Sequence, residues 1–329
     1  MNAAANGAST PRVALVTGSA QGLGRAIAER LAENGARVVL TDVDTTRLAE
    51  SHAELADRYP GIVAIPMDVA DESSVQQAFA TVASTCGRLD ILVNNAGVIG
   101  LSDGERPLVE TMPLALWQRT LDVNLTGAFL ASRSAIPLMK AGRWGRIVNI
   151  SSRAGRTRTG VGHSNYGASK AGLIGFSRVL AGEVGGDGIT VNCVAPSRVP
   201  TAMTLALADS TGAFERNVSE TAVGRLGTPR DVADVVAFLA LDTAAFLTGI
   251  VVDVNGGHSC RLECSRRHDR SGRTRWSQDR STDSQRRQWC HEQQSDRSCF
   301  GGHGTEPKEQ NTQQSPRFGR ISALQLLHS

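Results

Sequence analysis

The sequence predicts an α/β fold with a doubly wound, seven-stranded parallel sheet and helices on both faces. Three observations support this. Short runs rich in Val, Ile and Leu alternate with segments of helical periodicity over residues 12–258. Buried strands joined by helical crossovers are typical of parallel sheets. A glycine-rich turn follows the first strand, and neither a repeat nor a linker divides the region. We therefore predict one domain over 12–258, preceded by a flexible N-terminus over 1–11.

Each predicted element follows from its residue pattern, because strands are short apolar runs with polar or glycine borders. The strands are Arg12–Thr17, Arg37–Asp42, Ile62–Met67, Leu89–Asn94, Arg146–Ser151, Ile189–Val194 and Ile250–Val254. Helices are predicted where apolar residues recur three or four positions apart. They include Ala26–Asn34, Thr45–Arg58, Ser73–Ser84 and Pro229–Leu241. Gly35 is expected to cap the first helix, since glycine readily adopts the left-handed conformation that ends helices.

Composition excludes several classes of protein. Of the 329 residues, 40% are hydrophobic and 20% charged, as in globular proteins. The net charge of +3 gives no strong case for nucleic acid as a partner. No run of about 18 apolar residues and no apolar leader occurs, so neither a membrane span nor a secretory signal is predicted. Only Cys86 and Cys193 lie in 12–258, which indicates a reduced, cytoplasmic protein.

Residues 259–329 differ sharply in composition. Arg, Ser and Gln dominate this tail, and its apolar residues follow neither helical nor strand periodicity. Such a low-complexity segment cannot bury enough apolar area to offset the entropy of ordering, so a disordered tail is predicted. Cys260, Cys264 and His268 lack the regular pairing of zinc motifs, and no metal site is predicted. A nucleic-acid arm and an unselected sequence, such as a shifted reading frame, stay open as alternatives.

The turn Thr17–Gly24, with the spacing G-x-x-x-G-x-G, predicts a dinucleotide-binding loop. Glycines let the backbone approach a pyrophosphate, and the following helix offers free N–H groups and a partial positive charge. An ordinary strand–helix turn is the alternative. Residues of the loop expected to contact the cofactor are Gly18, Ser19, Gln21, Gly22, Leu23 and Gly24.

Asp42 ends the second strand, 18 residues after Gly24. A carboxylate there can accept hydrogen bonds from ribose hydroxyls and would repel a 2′-phosphate, which favours NAD over NADP. The alternative is a helix cap or an ordinary loop aspartate. Asp68 and Val69, after the third strand, are expected near the adenine.

Tyr166 and Lys170 are four residues apart, which places them on one face of a predicted helix. A lysine ammonium favours phenolate, so we expect it to lower the pKa of Tyr166 and make this residue a general base near neutral pH. The alternative is an amphipathic surface pair.

Taken in order, these motifs resemble the classical short-chain dehydrogenase/reductase family over nearly all of residues 1–258. The matching segments are the glycine loop, Asn94–Gly97, Asn124, Ser151–Ser152, Tyr166 with Lys170, and Asn192–Pro196 followed by Thr201. The resemblance implies a reversible oxidation of a secondary alcohol to a ketone by hydride transfer to NAD.

The resemblance also implies a role for each site residue. Tyr166 would be the general acid/base, Lys170 would hold the nicotinamide ribose, Ser152 would bind the substrate oxygen, and Asn124 would position a water. Further cofactor contacts are implied for Asn95, Ala96, Gly97, Pro196, Val199 and Thr201. Assembly into a homotetramer or homodimer is implied for the long helices that carry Asn124 and Tyr166.

Two positions depart from the family's pattern. Ser152 precedes Tyr166 by 14 positions instead of the more usual 13, so Ser151 stays an alternative catalytic serine. Ser197 stands where the family usually has glycine, and it would be strained if the backbone needs a positive φ.

The substrate is less well defined than the chemistry. Arg153, Arg156, Arg158 and His163 precede Tyr166, and we hypothesise that Arg153 or His163 recognises a polar or anionic substrate group. The alternative is that these charged side chains lie in a solvated loop or contact another subunit. Residues Met203–Val218 are predicted to form a mobile lid.

Two other functions are weighed against this dehydrogenase. The first is an NADPH-dependent 3-oxoacyl-carrier-protein reductase, which Asp42 disfavours; Gly182 also replaces the basic residue that such enzymes tend to carry. The second is a non-catalytic NAD-binding sensor or scaffold, which would not need a general base.

Overall fold

The protein is described by a computed structural model that covers residues 10–101, 107–157, 163–197, 199–201 and 218–258. Predictions for residues 1–9, for Arg158, for nearly all of the lid and for the tail at 259–329 lie outside these residues. The described residues contain no helix long and apolar enough to cross a bilayer.

Seven parallel strands form one sheet in the order β3-β2-β1-β4-β5-β6-β7, as the alternation of apolar runs and helices predicts. The strands are β1 Val13–Thr17, β2 Arg37–Asp42, β3 Val63–Pro66, β4 Ile91–Asn94, β5 Gly145–Ile150, β6 Ile189–Pro196 and β7 Val251–Val254. Every predicted strand is present, and the differences are confined to a few residues at the ends. The doubly wound fold is therefore confirmed.

Helices cover both faces of this sheet. They are α1 Gly22–Glu33, α2 Thr45–Ala56, α3 Glu72–Cys86, α4 Leu114–Leu121, α5 Gly127–Gly142, α6 Ser164–Val184 and α7 Pro229–Leu239. Side chains of α1, α2 and α7 pack with alternate strand residues such as Ala14 and Val16. The intervening strand residues, such as Val13 and Leu15, pack with α3, α5 and α6. Since successive strand residues point to opposite faces, the continuous apolar run of β1 serves both cores.

Helix α1 ends as the sequence predicts, with a glycine in the left-handed conformation. Gly35 has a φ of +85°, its N–H donates to the Ala32 carbonyl over 2.9 Å, and the Ala36 N–H donates to the Leu31 carbonyl over 3.1 Å. These two bonds form a Schellman motif, which satisfies carbonyls at the end of the helix.

The chain reverses its winding direction between β1 and β4. These two strands pair directly, with Leu15 opposite Leu92, while β2 and β5 lie on their outer sides. In open parallel sheets this arrangement leaves a crevice at the carboxyl ends of the strands, where ligands bind. The predicted cofactor loop follows β1 at that edge.

A short π-helical turn, Asp122–Thr126, joins α4 to α5. Its i→i+5 hydrogen bonding includes the Gly127 N–H, which donates to the Asp122 carbonyl. Asn124 lies in the middle of this turn and is 1% exposed. The π geometry therefore widens the helix at Asn124, which the sequence analysis identified as a candidate site residue.

Candidate active site

The glycine-rich loop lies against the start of α1, and Gly24 makes this contact feasible. A Cβ atom on Gly24 would overlap the Gly18 carbonyl oxygen and the Asn95 side-chain nitrogen. Gly18 has a φ of +63°, and a Cβ there would approach the Ala96 Cα to 2.8 Å. The alternation of glycines therefore reflects close backbone packing as well as turn geometry.

Hydrogen bonds tie this loop to the segment after β4. The Thr17 hydroxyl accepts from the backbone N–H groups of Asn95 and Ala96, each at 3.0 Å. The Asn95 side chain donates in return to the carbonyls of Thr17 and Gly18, each at 2.9 Å. Four predicted cofactor contacts, Gly18, Gly24, Asn95 and Ala96, are thus brought together across the crevice.

Asp42 lies at the carboxyl end of β2, where the sequence analysis expects it, and it also orders the loops around it. One carboxylate oxygen accepts from the Ala20 N–H at 3.1 Å and the other from the Asp44 N–H at 3.1 Å. Asp44, not Asp42, caps α2 by accepting from the Arg47 N–H. Arg47 also reaches Gln21, its guanidinium donating to the Gln21 side-chain oxygen at 2.9 Å. The helix-cap interpretation of Asp42 is therefore wrong.

Asp68 and Val69 follow β3 at the same edge of the sheet. One Asp68 oxygen accepts from the Ala70 N–H at 2.9 Å, and the other lies 3.8 Å from the guanidinium of Arg119. Val69 is buried against Gly127, where an added Cβ would lie 2.9 Å from the Val69 side chain. The two residues lie beside the start of α5.

The segment after β6 faces the glycine loop. Pro196 ends β6, Val199 is buried, and Thr201 lies opposite Gly22, where an added Cβ would be 3.8 Å from the Thr201 Cβ. Ser197 donates its N–H to the Val254 carbonyl at 3.0 Å. Among the described residues that are not glycine, a positive φ occurs only at Arg143, so the strain expected at Ser197 does not arise.

Lys170 is buried, which excludes the interpretation of Tyr166 and Lys170 as a surface pair. Its side chain is 4% exposed, and the ammonium donates to the Ile150 carbonyl at 2.8 Å. Burial lowers the pKa of Lys170 to about 8. The ammonium nitrogen lies 5.8 Å from the centre of the Tyr166 ring, so both groups share one face of α6, as predicted.

Tyr166 has a pKa above its usual value in this chain, because burial penalises the phenolate more than its hydrogen bond with Ser152 favours it. The expectation that Lys170 lowers the pKa of this phenol is therefore wrong for the chain alone. Desolvation is the larger of the two effects on this phenol.

The two candidate serines have different partners. Ser151 is buried, and its hydroxyl donates to the Lys170 carbonyl at 2.8 Å, which anchors α6 to the end of β5. Ser152 hydrogen-bonds with Tyr166, and its hydroxyl accepts from the Ala154 N–H at 3.1 Å. The geometry brings Ser152 to Tyr166 despite the additional residue between them.

Asn124 and Lys170 lie on either side of Gly97. The Asn124 side chain accepts from the Val98 N–H at 2.8 Å and donates to the Val98 carbonyl at 2.9 Å. A Cβ on Gly97 would lie 3.2 Å from the Asn124 side-chain oxygen and 3.4 Å from the Lys170 nitrogen. The lack of a side chain at Gly97 therefore keeps the space between these two polar groups open.

Of the four basic residues noted in the segment before Tyr166, three are described, and they include both residues hypothesised to contact the substrate, Arg153 and His163. Arg153 begins a short 3-10 turn directly after Ser152, and His163 is the residue before α6. Both therefore adjoin the Ser152–Tyr166 pair along the chain. Arg156 instead forms an ion pair with Asp253 on β7 at 3.5 Å, which accounts for its charge without a ligand.

Sequence analysis missed a buried line of polar side chains beneath the site. The Asn94 side chain donates to Asn149 at 2.7 Å and to the Ser132 hydroxyl at 3.1 Å. Asn149 donates to the Ser177 hydroxyl at 2.7 Å, and the Cys193 sulfur lies 3.0 Å from the same hydroxyl. An asparagine inside each of two apolar strands was the signal, since buried amides require partners.

It also missed Ser169, a fully buried residue of α6. The Ser169 hydroxyl accepts from the Asn124 side chain at 3.0 Å and donates to the Tyr166 carbonyl at 2.8 Å. Its position directly before Lys170 gave no signal of this contact with the π-helical turn.

The fold and the site together define the class of the protein. A doubly wound sheet with a close-packed glycine loop at its switch point is a dinucleotide-binding domain. Beside that loop, Ser152, Tyr166, Lys170 and Asn124 converge at the carboxyl ends of the strands. This combination is that of a nicotinamide-dependent oxidoreductase.

Comparison with known proteins identifies the family. A family model described as "Enoyl-(Acyl carrier protein) reductase" matches residues 18–259. The chain belongs to the short-chain dehydrogenase/reductase family, whose members are oxidoreductases that bind a nicotinamide cofactor.

Relatives differ in the activities that their names give. The 3-oxoacyl-[acyl-carrier-protein] reductase FabG of Aquifex aeolicus is 42% identical over 248 residues, covering 75% of this chain and 96% of the relative. The (2S)-[(R)-hydroxy(phenyl)methyl]succinyl-CoA dehydrogenase subunit BbsD of Thauera aromatica is 40% identical over the same share of each chain. A crystal structure of a 3-oxoacyl-[acyl-carrier protein] reductase with bound NAD from Brucella melitensis is 38% identical, with a TM-score of 0.67, covering 75% of this chain and 90% of that one.

Proposed function

We propose that the chain is an NAD-dependent oxidoreductase that reversibly oxidises a secondary alcohol to a ketone, with Tyr166 as the general acid/base. The observation that carries this proposal is the cluster of half-buried Ser152 and Tyr166 with buried Lys170 and Asn124 beside the glycine loop. A cofactor-binding scaffold has no use for an ammonium buried beside a half-buried phenol on one helix face, because burial of the ammonium is costly.

The residues of the crevice fit a dinucleotide. Helix α1 begins at Gly22 without a side-chain cap, whereas α2 and α3 are capped by Asp44 and Asp71. Its first N–H groups are thus open to an anion such as a pyrophosphate. Asp42 can accept from ribose hydroxyls with the lone pairs that its two backbone contacts leave unused.

The mechanism follows from the chemistry of each side chain. When bound, the nicotinamide supplies a hydride acceptor or donor. Tyr166 takes the proton of the substrate hydroxyl during oxidation and returns it during reduction. Ser152, hydrogen-bonded with Tyr166, donates to the substrate oxygen as negative charge develops on it. Lys170 would hold the nicotinamide ribose, and Asn124 would position a water through which Lys170 exchanges protons with solvent.

Reduction of a 3-oxoacyl thioester with NADPH is the second candidate function, and the names of several 40–42% identical relatives favour it. Asp42 argues against it through repulsion of a 2′-phosphate. The test is an absorbance assay of the full-length protein with NAD and NADP on secondary alcohols, polyols and hydroxy acids, and with both reduced cofactors on 3-oxoacyl thioesters. Turnover with NAD on alcohols supports the proposal, whereas turnover only with NADPH on thioesters establishes the second candidate.

Replacing Asp42 by alanine is expected to raise the KM for NAD about tenfold, because a charged hydrogen-bond acceptor for the ribose is lost. The KM for NADP is expected to fall, since repulsion of the 2′-phosphate disappears. Steady-state kinetics with both cofactors measures the two changes. Asp44→Ala is the matched control, because Asp44 caps α2 and should leave the NAD/NADP ratio unchanged. An unchanged ratio in Asp42→Ala would remove the basis for the NAD preference.

We further propose that the outer face of α5 and α6 joins two copies of the chain. Val179 is 64% exposed and Phe129 43%, and a Cβ on Gly175 would meet nothing within 4 Å. Exposed apolar surface of this kind on paired helices favours self-association. Val179→Asp is expected to shift the protein toward monomer in sedimentation velocity, whereas Val43→Asp, at an equally exposed valine, should not. Identical sedimentation of both variants and the wild type would refute this interface.

A further inference from the structure

Asn124 is held in place by a neighbour on the helix that carries Tyr166 and Lys170. The Asn124 amide group has two hydrogens: one is donated to the Val98 carbonyl at 2.9 Å and the other to the Ser169 hydroxyl at 3.0 Å. The side-chain oxygen accepts from the Val98 N–H at 2.8 Å. Only one lone pair of that oxygen is left, on a residue that is 1% exposed.

Ser169 therefore connects three parts of the site. Its hydroxyl donates to the Tyr166 carbonyl at 2.8 Å while it accepts from Asn124, and the residue itself is fully buried. The hydrogen bonds run from Val98 after β4, through Asn124 in the π-helical turn, to the first turn of α6. Val98, Asn124 and Ser169 each donate and accept hydrogen bonds in this series. A shift of one of these residues therefore displaces the others.

We propose that Ser169 is a positioning residue, which holds Asn124 at the distance from Tyr166 and Lys170 that proton transfer requires. This inference rests on the proposed function, since it concerns the same site. Removal of the hydroxyl leaves a buried amide hydrogen of Asn124 without its acceptor, and such a group turns or admits water to regain one. Either response alters the space between Asn124 and Lys170 beside Gly97.

Ser177 provides a matched control on the same helix. It is also a fully buried serine of α6, and its hydroxyl also donates to a backbone carbonyl one turn earlier, that of Leu173, at 2.7 Å. Its side-chain partners are Asn149 on β5 and Cys193 on β6, not Asn124. Ser177→Ala removes a comparable hydrogen bond from α6 and should cost stability without changing the proton-transfer step.

The test is a double-mutant cycle with Ser169→Ala, Asn124→Ala and the two combined. We expect Ser169→Ala to lower kcat about tenfold, with KM changed by less than about twofold and the pH profile of kcat displaced. In the Asn124→Ala background the same change should have no further effect, because Ser169 acts through Asn124. Ser177→Ala should keep the kcat and pH profile of the wild type.

Hydrogen–deuterium exchange of the cofactor-free protein supplies a readout that does not depend on turnover. Ser169→Ala should speed exchange in Arg119–Gly127 and around Val98, whereas Ser177→Ala should not. Three outcomes would overturn this inference while leaving the proposed function intact. They are additive losses of kcat in the double mutant of an active enzyme, a loss of kcat in Ser177→Ala equal to that in Ser169→Ala, and unchanged exchange around Asn124 in Ser169→Ala. Wild-type turnover of Asn124→Ala would overturn it together with the role of Asn124 in the proposed function.

Discussion

Tyr166→Phe is expected to lower kcat/KM by a factor of about 10² to 10⁴ while leaving the Kd for NAD within about twofold of the wild-type value. The change removes the hydroxyl to which the proposed mechanism assigns the substrate proton. It keeps the ring, its packing on α6 and the position of Lys170. We expect a loss confined to the chemical step, because most of the proposed cofactor contacts lie in the glycine loop and after β4.

The hydrogen bond between Ser152 and Tyr166 gives this prediction a second part. In Tyr166→Phe, the Ser152 hydroxyl stays held by the Ala154 N–H, so it can still bind the substrate oxygen. We therefore expect little change in KM. Stopped-flow binding of NADH and steady-state turnover separate the two effects.

Tyr59→Phe is the control, since Tyr59 is the other tyrosine of the chain and its hydroxyl accepts only from the neighbouring Arg58 at 3.1 Å among the bonds described. It should retain full activity. A Tyr166→Phe enzyme with undiminished kcat/KM would assign proton transfer to another group and leave the sensor or scaffold function open.

Lys170→Met is expected to abolish detectable turnover and at the same time to stabilise the protein by about 1–3 kcal/mol at pH 7. Burial lowers the pKa of Lys170 from 10.5 to about 8, so the folded chain bears the cost of a buried ammonium at neutral pH. Methionine fills a similar volume without that cost. The lost hydrogen bond to the Ile150 carbonyl offsets part of the gain.

The pH dependence of the stability difference distinguishes the cost of the buried ammonium from better packing of methionine. Below the folded pKa of about 8, Lys170 is charged in both the folded and the unfolded chain, and the full penalty applies. As the pH rises from about 8 toward 10.5, the folded chain releases the proton first, so the wild type gains stability relative to the variant. The advantage of Lys170→Met should therefore shrink across this window.

Urea midpoints at neutral and alkaline pH, at one protein concentration, measure the stabilisation by Lys170→Met and its decrease as the pH rises. Lys140→Met is the control, because Lys140 is half exposed and pairs with Asp187 at 2.9 Å on the surface. It should change stability by less than about 1 kcal/mol at either pH. A destabilised Lys170→Met at neutral pH would show that the ammonium is better accommodated than its burial suggests.

The fold was predictable because the relevant signals are local. Continuous apolar runs identify buried parallel strands, and all seven strands were placed to within a few residues. Gly35 identified the end of α1 for the same reason, since a positive φ is a property of one residue. The ends of strands such as β6, which continues to Pro196, depend on pairing with β7 and so are not visible in one segment.

The site was predictable as a set of residues but not as a set of environments. Spacing placed Tyr166 and Lys170 on one face, whereas the rise in the pKa of Tyr166 comes from the elements packed around it. The choice between Ser151 and Ser152 depends on which side of the end of β5 faces α6, and only the structure shows that Ser151 meets the Lys170 carbonyl. Ser169 lies within a motif that was recognised, yet its partner is 45 residues away.

The π-helical turn at Asp122–Thr126 makes one part of the chain intolerant of changes in length. A π turn holds one residue more than an α-helical turn, as if a single residue had been inserted into a regular helix. Each residue of an α-helix rotates the chain by about 100°, so deleting that residue would set Asn124 and Ser132 out of phase. The helix could then direct one toward Val98 or the other toward Asn94, but not both. A segment grafted here from another protein would need to carry the same insertion.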